Sequence, residues 1–442
     1  MLQPEFAPPA ATDGRTLANW LAWQESLHPT EIELGLDRCR AVAERLGILT
    51  PGYTVVTVAG TNGKGSTVAM LDAAYRGAGH RVGTYTSPHL LRYNERIRLD
   101  GEPVDDATIC RAFELVEAAR ASTPLTFFEF GTLAALVIFA EARPALAILE
   151  VGMGGRLDAV NLMDPDIAVI ATLDIDHVEW LGHTRAAIAR EKAGIMRAAR
   201  PVVCSDPEPP HSLIEHAEAI GAELALLGSE FHFEPGNEHD WTWWSGAEVL
   251  PGLPLPALSG AYQLRNAAGV LKVLSLLQHR HPVSVAQIAD ALRTVRLQGR
   301  FQRLACGVEV ILDVAHNAQA VDAFVSNLRA LPAAAETRVV LGMLKTKDHA
   351  SVMRTLDPHV DHWHLATVQA ARGAAAEELH TVLRGMSSAR PAELHASVEA
   401  AWQAARSAVS AGGRVLVLGS FVTVGEVLRL LDARSAGAQG TN

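Results

Sequence analysis

Apolar and polar positions along the chain follow a repeating grammar. From Thr54 a β-branched run, "TVVTVA", leads into a glycine-rich turn. The helical stretch "TVAMLDAAYRGAG" follows, closed by Gly79, and then a second strand, "RVGTYT". Strand, crossover helix and strand in that order make a βαβ unit, the building block of a parallel sheet covered by helices. Short apolar runs at "ALAILEV", "DIAVIAT" and "PVVC", with helical segments between them, continue the doubly wound pattern. The run "LAALVIFA", Leu133 to Ala140, reads as a buried helix, since a bilayer span needs about 20 apolar residues.

After Gly228 the pattern changes. The stretch "SEFHFEPGNEHDWTWWSGAEVLPGLPLP" is aromatic and punctuated by Gly and Pro, which predicts short antiparallel strands or a loop insertion, with Trp241, Trp243 and Trp244 as packing residues. Two helices follow, "QLRNAAGVLKVLSLLQ" and one starting at Ser284. The segment "VRLQGRFQRLACG" then loses helical periodicity and reads as an interdomain linker. Beyond it "VEVILDV", "RVVLGML", "HWHLATV" and "RVLVLGSF" restart the strand and helix alternation. The expected architecture is α/β in two domains, 1–297 and a smaller 298–442, since 442 residues exceed what one core usually supports.

Composition narrows the function classes. At 49% hydrophobic and 20% charged residues, the chain has the make-up of an ordinary globular protein. A formal net charge of −11 argues against a nucleic-acid partner, which demands clustered positive charge, although Arg92, Arg96 and Arg98 could bind a small anion. Cys39, Cys110, Cys204 and Cys306 form no C-x-x-C pair, so neither a disulfide framework nor a zinc site is signalled. The N-terminal "MLQPEFAPPAATDGRT" lacks the basic and apolar regions of a secretory signal. A cytoplasmic protein with no membrane partner is expected, with monomer as the default.

The turn after "TVVTVA" carries the first chemistry. Gly60-Thr61-Asn62-Gly63-Lys64-Gly65-Ser66-Thr67 stands between a strand and a helix, where backbone N–H groups can surround a phosphate. Val58 replaces the first glycine of the usual phosphate-loop pattern. Glu150 closes a predicted buried strand, where a carboxylate can face that loop and hold Mg2+, or form a strand-end salt bridge. His177, beside Asp174 and Asp176, follows another strand and by itself reads as a metal ligand or as a packed or surface residue. Ser87 precedes Pro88, which favours an extended backbone and fixes the hydroxyl's direction. Asp313 and His316 lie just past a strand of the second domain, or merely cap the next helix, for which Asn317 is suited. "DPHVDHWH", Asp357 to His364, is dense in His and Asp, yet the alternation His362, Trp363, His364, Leu365 reads as a strand rather than a metal site.

"GTNGKGST", "TSPHLLRYNERI", "LTFFEFGT", "LEVGMGGRLDAVN", "DHVEWLG", "REKAGI", "GRFQ" and "DVAHN", in this order and spacing, resemble the folylpolyglutamate synthase and dihydrofolate synthase family of the Mur ligase superfamily. The resemblance spans nearly the whole chain. It implies a Mur-type P-loop ATPase domain with a parallel sheet and a Rossmann-like C-terminal glutamate-ligase domain. It assigns Gly60, Thr61, Asn62, Gly63, Lys64, Gly65, Ser66, Asn266, Arg300 and Asp313 to ATP, and places His316 near the active cleft. Ser87, Glu150 and His177 share one Mg2+ in this pattern. A carbamylated Lys192 helps hold a second, and K+ is a further expected ion. Ser26, Leu27, His28, Pro29, Thr126, Phe127, Phe128, Glu129, Leu157, Asp158 and Ala159 would form the pterin and pteroate pocket, although without the resemblance Phe127 and Phe128 read as core before pocket. Val160 departs from the family's usual Thr, and Val422 from its usual polar or aromatic residue.

The implied reaction is ATP-dependent amide formation. A substrate carboxylate takes the γ-phosphate, with Lys64, Lys192, Asp313 and His316 as the catalytic set, and the amine of L-glutamate attacks the acyl phosphate. Dihydropteroate and reduced folates are the expected acids. A Mur ligase acting on a UDP-muramoyl substrate is the alternative within this chemistry. A nucleotide switch is a second, disfavoured by the lack of an N-K-x-D element.

Overall fold

In the computed structural model, residues 14–28, 32–237, 239–305, 307–386 and 388–439 are described. The chain divides into two compact units. The first runs to Pro88 and takes in Tyr93–Ala257 and Leu264–Val295. The second takes His89–Arg92, Leu258–Gln263 and the chain from Arg296.

The first unit is built on an eight-stranded sheet. Its strands are β1 (Thr54–Ala59), β2 (Val82–Tyr85), β3 (Ile97–Leu99), β4 (Glu102–Pro103), β5 (Leu146–Glu150), β6 (Ile167–Ile170), β7 (Pro201–Cys204) and β8 (Glu223–Leu226), ordered β4-β3-β2-β5-β1-β6-β7-β8. The run from β2 to β8 is parallel, as expected, while β3 and β4 add an antiparallel edge the sequence reading missed. All six residues of β1 are buried. Val55, Ala59, Ala147, Leu149, Ala168 and Ile170 face one core cluster, together with the helices Leu17–Ser26, Asp37–Leu46, Asp106–Arg120 and Phe127–Ala142. The alternate residues Val56, Val58, Ile148 and Val169 are buried as well, which is why these strands read as continuous apolar runs.

The aromatic stretch is a three-stranded antiparallel sheet: β9 (His232–Pro235), β10 (Asp240–Ser245) and β11 (Glu248–Pro254), ordered β11-β10-β9. Trp241 and Trp243 are fully buried and donate their indole N–H to Pro254 O and Ala268 O, while Trp244 stacks on His232.

The second unit's sheet comprises β12 (Gln302–Ala305), β13 (Glu309–Asp313), β14 (Thr337–Leu341), β15 (His362–Ala366), β16 (Ala392–His395) and β17 (Arg414–Leu418), ordered β12-β13-β17-β14-β15-β16. Helices cover both faces: Ile311, Val339, Leu365 and Leu416 join one cluster, Leu312, Val340, Ala366 and Val417 the other. One reading needs correction. The "VRLQGRFQRLACG" segment is not wholly a linker, since its Gln302–Ala305 portion pairs antiparallel with β13. Its alternating half-exposed pattern is that of an edge strand, which lacks the apolar run of a central one. Among the described residues no helix is long and apolar enough to cross a membrane.

Candidate active site

Sheet order places the phosphate loop. The chain leaves β1 for β2 on one side of the sheet, and leaves β5 for β6 on the other. Such a reversal opens a crevice at the carboxyl ends of the strands. Gly60 and Gly63 have φ of +149° and +88°, conformations that side chains resist. Both also sit tight: a Cβ on Gly60 would stand 2.8 Å from Ala171 Cβ, and one on Gly63 2.6 Å from Asn266 Oδ1. Asn266 is itself 1% exposed, so the sequence-predicted Asn266 does meet the loop. Gly63 is the N-cap of the helix Lys64–Gly77 and supplies no side-chain cap, leaving the helix N-terminus as an anion site. Ser66 is buried in its first turn.

Thr61 ties the loop to the segment after β6. Its N–H donates to Thr172 O at 2.7 Å, its hydroxyl donates to Asp174 O at 2.9 Å, and it accepts from the Asp174 N–H at 3.0 Å. His177 stands three residues further on, exposed, with φ +51°. Across β1, Glu150 lies in register with Val58 and is 6% exposed. The Ser87 N–H donates to its carboxylate at 3.4 Å, ahead of a cis Ser87–Pro88 bond. The structure thus brings Ser87 to Glu150 and anchors the approach to His177 on the phosphate loop. A buried carboxylate with a hydroxyl and an imidazole at the same edge fits a divalent cation, because a carboxylate out of water needs a compensating charge.

Lys192 closes this edge. On the helix Arg185–Ala193 it is 4% exposed, buried rather than solvated. Two lysines converge on one carbonyl, Lys64 Nζ donating to Gly60 O at 3.0 Å and Lys192 Nζ at 2.9 Å. Burial, and then the neighbouring Lys64, hold the Lys192 amine down at about 7, against the pull of Asp176 and Asp158. At neutral pH a large fraction is therefore the free amine, the form that reacts with CO2. Between pH about 7 and 10.5 the unfolded chain carries a proton on this lysine that the folded chain has lost, so stability should rise with pH across that window. In CO2-free buffer, urea unfolding at pH 7 and 9 should show that gain, and Lys192→Met should flatten it.

In the glycine stretch after β5 the protein itself fills the space at two positions. A Cβ on Gly152 would meet the Phe128 ring at 2.5 Å, and one on Gly155 would stand 2.9 Å from Glu191 O and 3.0 Å from Lys192 O. The stretch therefore packs the Lys192 helix against the sheet edge. Gly155→Ala should push that helix end away, lowering stability by about 1–3 kcal/mol and activity with it, as thermal unfolding and ADP release would record.

Of the expected pteroate residues, Leu157, Asp158 and Ala159 follow these glycines. Asp158 is fully buried and caps the turn Ala159–Leu162, accepting from the N–H groups of Met153 and Val160; burial pushes its pKa up to about 6. Val160 is buried too. Thr126 caps the helix Phe127–Ala142 in a reciprocal capping box with Glu129. Phe127 and Phe128 are half-buried in its first turn, Phe127 lying beneath the Arg96 guanidinium. Ser26 ends the helix Leu17–Ser26, Leu27 follows it, and His28 pairs with Glu33 at 3.2 Å; Pro29 lies outside the described residues.

Sequence reasoning missed Arg38. Its guanidinium spans Glu129, with contacts of 2.9 and 2.8 Å, and holds that buried carboxylate in place. The helix Asp37–Leu46 carries apolar residues at Cys39, Val42, Ala43 and Leu46, a helical spacing that marks the helix but not the pairing of Arg38 with Glu129 across 91 residues.

In the second unit, Asp313 is 6% exposed at the end of β13 and accepts from the N–H groups of Phe301 and Ala315 at 2.7 and 2.8 Å. Burial raises its pKa, against the pull of Arg300. Arg300 lies over the Phe421 ring at 5.2 Å. The His316 ring contacts Val314 O through Nδ1 at 2.8 Å, and Asn317 caps the helix Ala318–Arg329 as its sequence position suggested. Val422 is half-exposed in the helix Phe421–Gln439.

A phosphate loop, a buried strand-end carboxylate and a buried lysine at the carboxyl edge of a parallel sheet, joined in one chain to a second α/β unit, define an ATP-dependent ligase of the Mur type. Residues 58–230 match the Mur ligase middle domain, and residues 299–421 the Mur ligase glutamate ligase domain. The chain is 41% identical to the dihydrofolate synthase/folylpolyglutamate synthase of Escherichia coli K12, over 96% of this chain and 97% of that one. It is 39% identical to the Haemophilus influenzae protein of the same name, over 94% and 98%. The chain belongs to the dihydrofolate synthase/folylpolyglutamate synthase family. Among solved structures, E. coli FolC in complex with DHPP and ADP superposes with a TM-score of 0.90 at 40% identity, covering 96% of this chain and all of that one. A bifunctional folylpolyglutamate synthase/dihydrofolate synthase with Mn, AMPPNP and L-glutamate bound gives 0.87 at 41%, with the same coverage.

Proposed function

We infer that the chain joins L-glutamate to 7,8-dihydropteroate and to reduced folates, using ATP and passing through an acyl phosphate. The observation that carries this reading is the convergence of Lys64 and Lys192 on the Gly60 carbonyl, at 3.0 and 2.9 Å. One cation and one amine that is free in large part at neutral pH thus stand at a single point of a phosphate loop, and each has a separate task.

Lys64 is the phosphate ligand. Its ammonium rests on the Gly60 and Thr61 carbonyls, and the anions it would serve are the β- and γ-phosphates of ATP, which the loop N–H groups would also hold. The substrate carboxylate attacks the γ-phosphorus, so that one P–O bond forms as the bond to ADP breaks. Such transfer depends on positioning and charge stabilisation rather than on covalent help from the protein. The glutamate amine then attacks the acyl carbon, phosphate leaves, and the nitrogen sheds a proton.

Ser87, Glu150 and His177 are the residues that would hold one Mg2+, and Lys192 as a carbamate would help hold a second, with K+ as an additional ion. Bound there, the divalent ions would offset the charge of the triphosphate. The structure of a relative with Mn and AMPPNP supports a divalent metal in this chemistry.

The pteroate end is proposed to lie among Ser26–Pro29, Thr126–Glu129 and Leu157–Ala159, with Arg38 holding Glu129. The first unit would then be the ATP-binding domain and the second the glutamate-ligase domain, with Arg300, Asp313 and His316 as its proposed functional residues. A cytoplasmic monomer completes the proposal. Phe128→Ala removes an aromatic face at the proposed pterin pocket and should raise the KM for dihydropteroate about tenfold while leaving the KM for ATP unchanged. Steady-state ADP release with each substrate varied in turn measures both.

A further inference from the structure

The second unit holds a cluster of side chains that the ligase chemistry does not use. Strands β15 and β16 run parallel at the edge of the second sheet, with His364 beside Glu393 and Ala366 beside His395. Side chains on a strand alternate between faces, so Glu393 and His395 emerge on one face of β16, together with His364 of β15. The two imidazoles stack with centroids 5.3 Å apart, and His364 Nδ1 lies 3.2 Å from His395 Nε2. Glu393 Oε2 is 4.0 Å from the same His395 nitrogen. One ligand atom from each of the three residues falls within 4.8 Å of the others. His364 is fully buried, the His395 side chain is 12% exposed, and Glu393 reaches solvent.

We propose that His364, His395 and Glu393 form a binding site for a first-row transition-metal ion of the zinc class, separate from the hard-cation site at the phosphate loop. Two imidazoles and a carboxylate favour zinc, cobalt or nickel, whereas magnesium takes oxygen ligands. Zinc bonds to imidazole nitrogen are about 2.0–2.1 Å long, so two nitrogens of a tetrahedral site stand roughly 3.3 Å apart. The His364 and His395 nitrogens already have that spacing. Only Glu393 must close in, and as the exposed member it is free to turn and admit the ion.

One neighbour opposes the ion. An Arg338 N–H lies 3.4 Å from His364 Nε2, and that guanidinium is held otherwise by Glu336. Metal on Nδ1 moves the imidazole proton to Nε2, where it faces a group that can only donate. Binding therefore costs this long contact, and Arg338 sets the affinity from behind the site. Because β16 is an edge strand that pairs with β15 alone, an ion shared between the two would clip the sheet edge.

The test uses the full-length, metal-stripped protein, with excess Mg2+ present to occupy the phosphate-loop site. Titration with Zn2+ should show one equivalent bound and a raised Tm, and Co2+ in its place should give the visible absorption of a four- or five-coordinate ion. His395→Ala should weaken Zn2+ binding at least about 100-fold and remove the Tm shift, without changing ADP release in metal-buffered Mg2+. Glu393→Gln, an exposed change that leaves the fold untouched, should weaken it about tenfold. Glu150→Gln should keep the Zn2+ equivalent, and Arg338→Met should bind it more tightly. Undiminished binding in His395→Ala, no binding by the wild type, or loss of the equivalent in Glu150→Gln would each overturn the proposal, as would unchanged affinity in Arg338→Met.

Discussion

Lys64→Ala is expected to lower glutamate-dependent ADP release by about 10²–10³-fold, the loss typical of removing one well-placed group that stabilises transition-state charge. Stability should barely change. The Lys64 side chain is only partly buried, begins its helix, and bonds two carbonyls of its own loop, so no core packing depends on it. The contrast with Gly63→Ala is instructive. There a Cβ would meet Asn266 at a residue with φ +88°, so activity and stability should fall together. A Lys64→Ala protein that unfolds at the wild-type temperature but no longer turns over would assign the lysine to phosphate. Unchanged turnover would remove the ATP site from this loop.

Lys192→Ala carries the second large effect, about 10²-fold in turnover, but with a different signature. Wild-type protein supplied with 13C-bicarbonate should show a carbamate resonance that the variant lacks, and small carboxylic acids should restore part of the variant's activity by occupying the vacated space. A lysine acting only as a cation would behave otherwise: acids would not rescue its loss, and bicarbonate would leave no resonance. The distinction is open to experiment because burial and Lys64 together keep the amine near 7, where it is available to CO2. Removing a buried group that resists charging should not unfold the chain.

Why some of this was legible in the sequence and some was not follows from the physics of each element. The βαβ unit at Thr54 announces itself because a central parallel strand is buried on both faces and must be an unbroken apolar run. The phosphate loop is legible because its glycines answer to backbone conformations that few other residues adopt. Edges are quieter. Ile97–Leu99 and Glu102–Pro103 are too short for any period to show, and Gln302–Ala305 and Ala392–His395 are half-exposed and polar, so they read as connections.

Side-chain environments set by distant contacts were the least visible. The helix "TRAAIAREKAGIMRA" looks solvated at Lys192, and only the sheet edge folding over it buries the amine. Likewise, "DPHVDHWH" was set aside as a strand, and β15 is one; the partners that give His364 a second meaning, Glu393 and His395, lie about thirty residues away. Arg38 belongs to the same class, paired with Glu129 across 91 residues.

The central claim is amide ligation to a pterin acid, and the direct test is ADP release by purified protein with Mg-ATP and L-glutamate, comparing dihydropteroate with tetrahydrofolate. Turnover with both acids, dependent on glutamate in each case, is the expected result. Turnover with neither, by a protein that still binds ATP, would contradict the account.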